Sequence, residues 1–283
     1  MPNPIINRRV LMNPPRGASF MGPLDAYTAD LLHLPCMGLR LLESYIGPAF
    51  RMRVGTGGSP EYDIDFLSDG TIDADSITSN AGGNNWFVRT VYDQSGNGRH
   101  LHQSTAASQP QGGIDGNGLA YCYAPGAGFL TTSLRCTGLS IAVTDTTHWS
   151  VASSAGFATD MMMVRDDPLL AERRYLNISS SFGASISGTG TEASLASTNT
   201  GLYSATLRVH SGGHKITAAG ASATGTKASA AFSITSIGFG FGGGGPFWSQ
   251  NSAFYGGAIW GADLGDTVVA ELQAISETLF DVQ

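Results

Sequence analysis

Apolar and polar residues alternate along most of this chain, and the alternation is sharpest from Trp86 to Asp93. Trp86, Val88, Thr90 and Tyr92 fall on one side of an extended segment, and Phe87, Arg89, Val91 and Asp93 on the other, the period-two pattern of a pleated strand. The run stops at Ser95-Gly-Asn-Gly98, where the glycines can take positive φ and the short polar side chains can bond nearby amides. Tyr92, Asp93, Gln94, Ser95, Gly96, Asn97 and Gly98 are therefore expected to form a structural turn, with lining of a ligand groove as the alternative. The same pattern predicts a hairpin from 50–54 and 62–66, and further strands over 119–123, 139–143, 148–152, 175–178, 202–209, 215–219, 232–239 and 254–260. Leu39, Leu42 and Tyr45 recur at helical spacing ahead of Gly47-Pro48, which predicts a short N-terminal helix, and a second is expected over 73–79. Asp263 is a candidate cap for a closing C-terminal helix with Val268, Leu272, Ile275 and Leu279 on one face. Many short strands separated by Gly, Ser and Asn predict an all-β sandwich or barrel.

Residues 1–22 are rich in Pro, Asn and Arg and keep neither period, so they are expected to be an extended arm preceding one domain over 23–283. Arg8, Arg9 and Arg16 lie on this arm, in a chain whose formal net charge is −7, so docking onto a neighbouring acidic subunit is the expected use.

The acidic balance argues against a nucleic-acid surface, because phosphate binding relies on clustered cations and Lys215 and Lys227 are the only lysines. An apolar content of 42% is enough for a packed core. The sequence shows no secretory h-region and no 18-residue apolar span, so synthesis in a cytoplasm without membrane insertion is expected. Cys36, Cys122 and Cys136 have no metal-ligand spacing, and His100 and His102 are a weak pair, so neither metal nor cofactor is expected. The chain has no Gly-x-Ser-x-Gly elbow, and the glycine run 240–245 lacks the Gly-Lys-Ser/Thr ending of a phosphate loop. Beside that run, Phe247, Trp248 and Tyr255 with Gln250 and Asn251 combine flat rings and amides, which suits a glycan, although core packing or a subunit contact uses the same residues.

Three blocks carry a family resemblance: 38–54, then Asp63-Ile-Asp65 through Tyr92-Asp-Gln-Ser-Gly-Asn-Gly98 to Leu101, and 237–245 followed by Phe254-Tyr-Gly-Gly257. Together they resemble the catalytic domain of fungal-type α-L-arabinofuranosidase B and a group of bacteriophage proteins that share the Tyr-Asp-Gln-Ser-Gly-x-Gly core. The resemblance implies a concanavalin-like jelly-roll β-sandwich. It also implies a glutamate nucleophile, for which Glu172 is a weak match against a solvated ion-pair cluster, and an aspartate acid/base where counting back from Phe254 reaches Gly245. The family's adjacent cysteine pair is missing. From that glycine the expectation is a non-catalytic bacteriophage virion protein, a homo-oligomer joined to other virion subunits by its arm and able to meet a host-surface polysaccharide. A divergent glycoside hydrolase and a free lectin are the alternatives.

Overall fold

The computed structural model describes residues 20–55, 60–124, 134–154, 159–165, 173–178, 181–186, 193–196, 201–226, 231–239, 241–242, 245–246 and 252–282. The arm residues Arg8, Arg9 and Arg16 lie outside them. The architecture is an antiparallel β-sandwich, as the alternation predicts.

One layer runs in the spatial order Glu61–Ile64, Phe50–Val54, Trp86–Val91, Leu101–His102, Leu134–Val143, Phe232–Phe239, Thr159–Arg165, Arg173–Ile178, Ser181–Ile186 and Ala193–Ala196. The other runs Gln111–Ile114, Ala120–Tyr123, Ala253–Trp260, Thr146–Ser154, Gly201–His210, Gly213–Ala218 and Ala221–Gly225. A single pairing, Phe87 with Gln111, links the two layers. Phe50, Met52, Val88, Val91, Ile237, Phe239, Leu207 and Phe254 are among the residues that fill the space between them. A second apolar cluster lies on the far side of the second layer, where Trp149, Val151, Ala258 and Trp260 are covered by Leu34, Leu41 and the closing helix Gly265–Phe280.

Three local expectations fail. No helix forms over 39–45. The Leu39 carbonyl accepts from Gln94 Nε2 and the Leu41 carbonyl from the Leu24 amide, both at 3.0 Å, and the Glu43 amide donates to Asp25 Oδ1 at 2.9 Å, so groups a helix would pair internally are taken by other segments. Leu39, Leu41 and Leu42 are buried all the same, in an extended crossing of the outer face. The short helix is Ala74–Ala81, capped by Asp73, whose carboxylate accepts the Ser76 amide at 2.9 Å. Strict alternation also breaks in Trp86–Val91: Met52 pairs with Val88 but Arg51 with Thr90, so Arg89 is an inserted residue. The bulge turns Thr90 away from the core and brings Val91 in against Phe50. At the closing helix Asp263 is not the cap residue, which is Leu264; its Oδ1 still accepts the Gly265 amide at 3.1 Å while Arg208 grips the same carboxylate.

Candidate functional site

Of the turn after Tyr92, Asp93 and Gln94 are buried while Gly96, Asn97 and Gly98 are exposed. Asp93 is buried and its carboxylate accepts from the Leu34, Ser95 and Arg99 amides at 2.9, 3.0 and 3.0 Å and from the Ser95 hydroxyl at 2.8 Å. Burial alone would raise its pKa, but the buried His33 ring and these donors outweigh that and hold the carboxyl far below its ordinary range. His33 Nδ1 stands 3.6 Å from Asp93 Oδ1, with both side chains fully buried. Gln94 accepts from Leu41 and donates to the Leu39 carbonyl at 3.0 Å, and Asn97 Nδ2 donates to the Leu31 and Leu32 carbonyls at 3.0 and 3.1 Å. Gly96 and Gly98 hold φ of 83° and 69°. The Tyr92 hydroxyl donates to Asp63 at 2.7 Å beside the Arg51–Asp63 pair. The polar groups of the motif are thus spent on tying residues 31–41 to the first layer.

Other described carboxylates are engaged in the same way. Glu61 pairs with Arg89, Asp263 and Asp266 with Arg208, and Asp266 also with Lys215 at 2.9 Å. Asp25 accepts from the Gly22 and Glu43 amides, and Glu271 from the Tyr27 hydroxyl. An open depression of about 530 Å³ lies between Thr144–Asp145 and Gly261–Asp263, with the Arg208-bound Asp263 in its wall.

A polar cluster that the alternation pattern did not single out lies between the layers. Arg174 and His148 are both fully buried, and both reach Thr146 Oγ1, at 3.0 and 3.2 Å. Burial, then the Arg174 charge, pushes His148 down to about 3, so the imidazole is neutral at physiological pH. The signal was the run Thr146-Thr-His-Trp-Ser150, polar on both faces, which left the inward side undecided.

At one end of the sandwich Tyr123 pairs with Ala253, which pairs in turn with Ser153. The chain leaves the described strands there into 125–133 and 155–158 and returns from 247–251. Phe247, Trp248, Gln250 and Asn251 lie outside the described residues, as does Glu172, while Gly245 pairs with Gly242 in a two-rung hairpin. Tyr255 is described. It is 7% exposed and stacks on Tyr121 with ring centroids 5.2 Å apart. Among the described residues no group of three or more metal-ligating side chains converges, and no helix is long and apolar enough to cross a membrane.

No protein-family profile matches the chain. Two curated relatives do: a probable α-L-arabinofuranosidase B of Aspergillus fumigatus and an α-L-arabinofuranosidase of Hypocrea jecorina, each 31% identical over 100 residues. The match covers 34% of this chain and 18% of each relative, so it spans less than a fifth of their length. Among solved structures, a GH54 α-L-arabinofuranosidase soaked with 4-nitrophenyl α-L-arabinofuranoside superposes with a TM-score of 0.70 at 17% identity, over 92% of this chain and 65% of that one. An arabinofuranosidase complexed with arabinofuranosyl-α-1,2-xylobiose gives 0.68 at 18% identity, over 92% and 64%. These structures establish the β-sandwich of the arabinofuranosidase catalytic domain as the fold of this chain.

The expectation of a non-catalytic virion protein is overturned, because the relatives and structural neighbours are arabinofuranosidases, which are glycoside hydrolases. It rested on counting back from Phe254 to Gly245 through 247–251, which lie outside the described residues. A count along a loop fixes no side-chain position, and a carboxyl group can reach the same point from a different segment.

Proposed function

We propose that this chain is a glycoside hydrolase of the arabinofuranosidase type, cleaving terminal α-L-arabinofuranosyl groups. The observation that carries the reading is the 100-residue stretch at 31% identity to two α-L-arabinofuranosidases, within a chain that has their sandwich fold.

Hydrolysis needs two carboxyl groups, one to protonate the leaving oxygen and one to attack the anomeric carbon or activate water, about 5–5.5 Å apart for retention and about 6.5–9.5 Å for inversion. Asp63, Asp263 and Glu61 are held in ion pairs and Asp93 in a cradle of amides, so these side chains are already engaged. Glu172, the weak match to the family's nucleophile, is the first carboxylate to examine, followed by Asp160, Asp166, Asp167 and Glu192. The test is turnover of 4-nitrophenyl α-L-arabinofuranoside by the wild type and by single Asp→Asn and Glu→Gln variants at these positions. Two of the variants should lose roughly 10³-fold or more in kcat with the fold intact. A wild type that releases no nitrophenol across pH 4–8 removes the reading.

A further inference from the structure

Tyr121 and Tyr123 stand out once the fold is known. They occupy alternate positions of Ala120–Tyr123, whose other two side chains, Ala120 and Cys122, are fully buried between the layers. Both tyrosines therefore face outward from the second layer, and both remain partly exposed. Their strand pairs on one side with Gln111–Ile114 and on the other with Ala253–Trp260, so the backbone beneath them is fixed.

The rings are held in place as well. Tyr255 is the buried member: it stacks on Tyr121 at 5.2 Å and 29°, and Tyr123 lies against Tyr121 at 5.8 Å and 42°. A Cβ at Gly113 would sit 2.5 Å from Tyr121 Cζ and 2.6 Å from its hydroxyl oxygen, so the glycine leaves room for the ring to lie across its neighbour strand. Burial, then the charge of Asp115, pushes the Tyr121 hydroxyl's pKa up, and the Asp115 carboxylate accepts the Asn117 and Leu119 amides at 2.9 Å each. Two partly exposed rings, packed at the rim of the outer apolar cluster with a carboxylate near them, match what a sugar ring needs: an aromatic surface for its C–H groups and an anchor for a hydroxyl. The pairing of Tyr123 with Ala253 sets this platform where 247–251 rejoin the sheet.

We propose that Tyr121 and Tyr123 form a stacking platform for a sugar residue of the polysaccharide main chain, outside the site that receives the cleaved arabinofuranosyl group, with Tyr255 and Gly113 as its positioning residues. The proposal rests on the hydrolase reading for its choice of ligand. Tyr255 accordingly supports the platform from below instead of touching the glycan.

The experiment compares the wild type with Tyr121→Ala, Tyr123→Ala, both Tyr→Phe variants and Gly113→Ala. It measures retardation in native gels containing soluble arabinoxylan, and kinetics on arabinoxylan and on 4-nitrophenyl α-L-arabinofuranoside. The Ala variants should bind arabinoxylan about ten-fold more weakly, the equivalent of ~1.4 kcal/mol, with KM for the polymer raised in step. Kinetics on the aryl substrate should stay within about two-fold, because that molecule is too short to reach the platform. The Phe variants keep the rings and should behave as wild type. If an Ala variant fails to fold, Gly113→Ala carries the test by displacing the Tyr121 ring while leaving both tyrosines in place. Folded Ala or Gly113→Ala variants that bind and cleave arabinoxylan like wild type would overturn the platform, as would a wild type that arabinoxylan does not retard. A wild type that is retarded but cleaves neither substrate would overturn the hydrolase reading and leave the platform standing.

Discussion

The side-chain oxygen of Gln94 accepts the backbone amide of Leu41 at 2.8 Å, 53 residues away in sequence, and both groups are buried. This bond and its companion from Gln94 Nε2 to the Leu39 carbonyl hold 39–41 extended across the sandwich. Replacing Gln94 with Ala leaves a buried N–H and a buried C=O without partners, each costing about 1–3 kcal/mol. Gln94→Ala should therefore lower stability by roughly 2–4 kcal/mol, read as the denaturation midpoint in urea. An unchanged midpoint would show that water replaces the side chain at no cost.

Gly96 and Gly98 separate backbone strain from crowding. A Cβ at either would meet nothing within 4 Å, yet both hold positive φ. Gly96→Ala and Gly98→Ala should each cost about 1 kcal/mol, and the Val variants roughly 1–3 kcal/mol. Gly112→Ala should be worse for a different reason, since its Cβ would fall 1.8 Å from the Trp86 ring. Equal melting temperatures for wild type and the four turn variants would contradict the dihedral account.

Asp93 should set the acid limit of the fold. Its folded pKa lies below the ordinary 3.8, so its contribution is fully present above the unfolded value and fades as pH falls from about 4 toward the lowered folded value. Asp63 and Asp263, lowered chiefly by their Arg51 and Arg208 partners, add in the same direction. Asp93→Asn should destabilise the protein at pH 7 and flatten the loss of stability between pH 5 and roughly pH 2, as followed by thermal melts. A variant curve parallel to wild type throughout would mean that Asp93 is not the group that titrates.

Much of the sandwich was legible in the sequence because its strands bury one face each, which writes itself as alternation: Phe232–Phe239 and Gly213–Ala218 fall where the pattern puts them, to within two residues. The closing helix was legible for the same reason at a period of 3.6. The pattern fails where a distant side chain decides local structure. Leu39, Leu42 and Tyr45 have helical spacing, but Gln94, Leu24 and Asp25 engage the Leu39 and Leu41 carbonyls and the Glu43 amide, and nothing near Leu39 announces that. Arg89 shows the second kind of failure, since a single inserted residue reverses every inside–outside assignment beyond it. The candidate site was less legible. Tyr121 and Tyr123 look like any alternating strand residues until the Gly113 notch and the buried Tyr255 show that their rings are held outward. The chemistry was least legible, because carboxyl groups from separate segments meet only through the folded chain, and a count along the sequence put a glycine in the place of an acid.

The most direct test of the central claim is product analysis after incubation with arabinofuranosyl-α-1,2-xylobiose, the ligand of one structural neighbour. Chromatography of the digest should show free L-arabinose and intact xylobiose appearing in equal amounts, at a rate proportional to enzyme concentration. A trisaccharide that stays whole, under conditions in which the protein remains folded, would contradict the assignment of this chain as an arabinofuranosidase-type hydrolase.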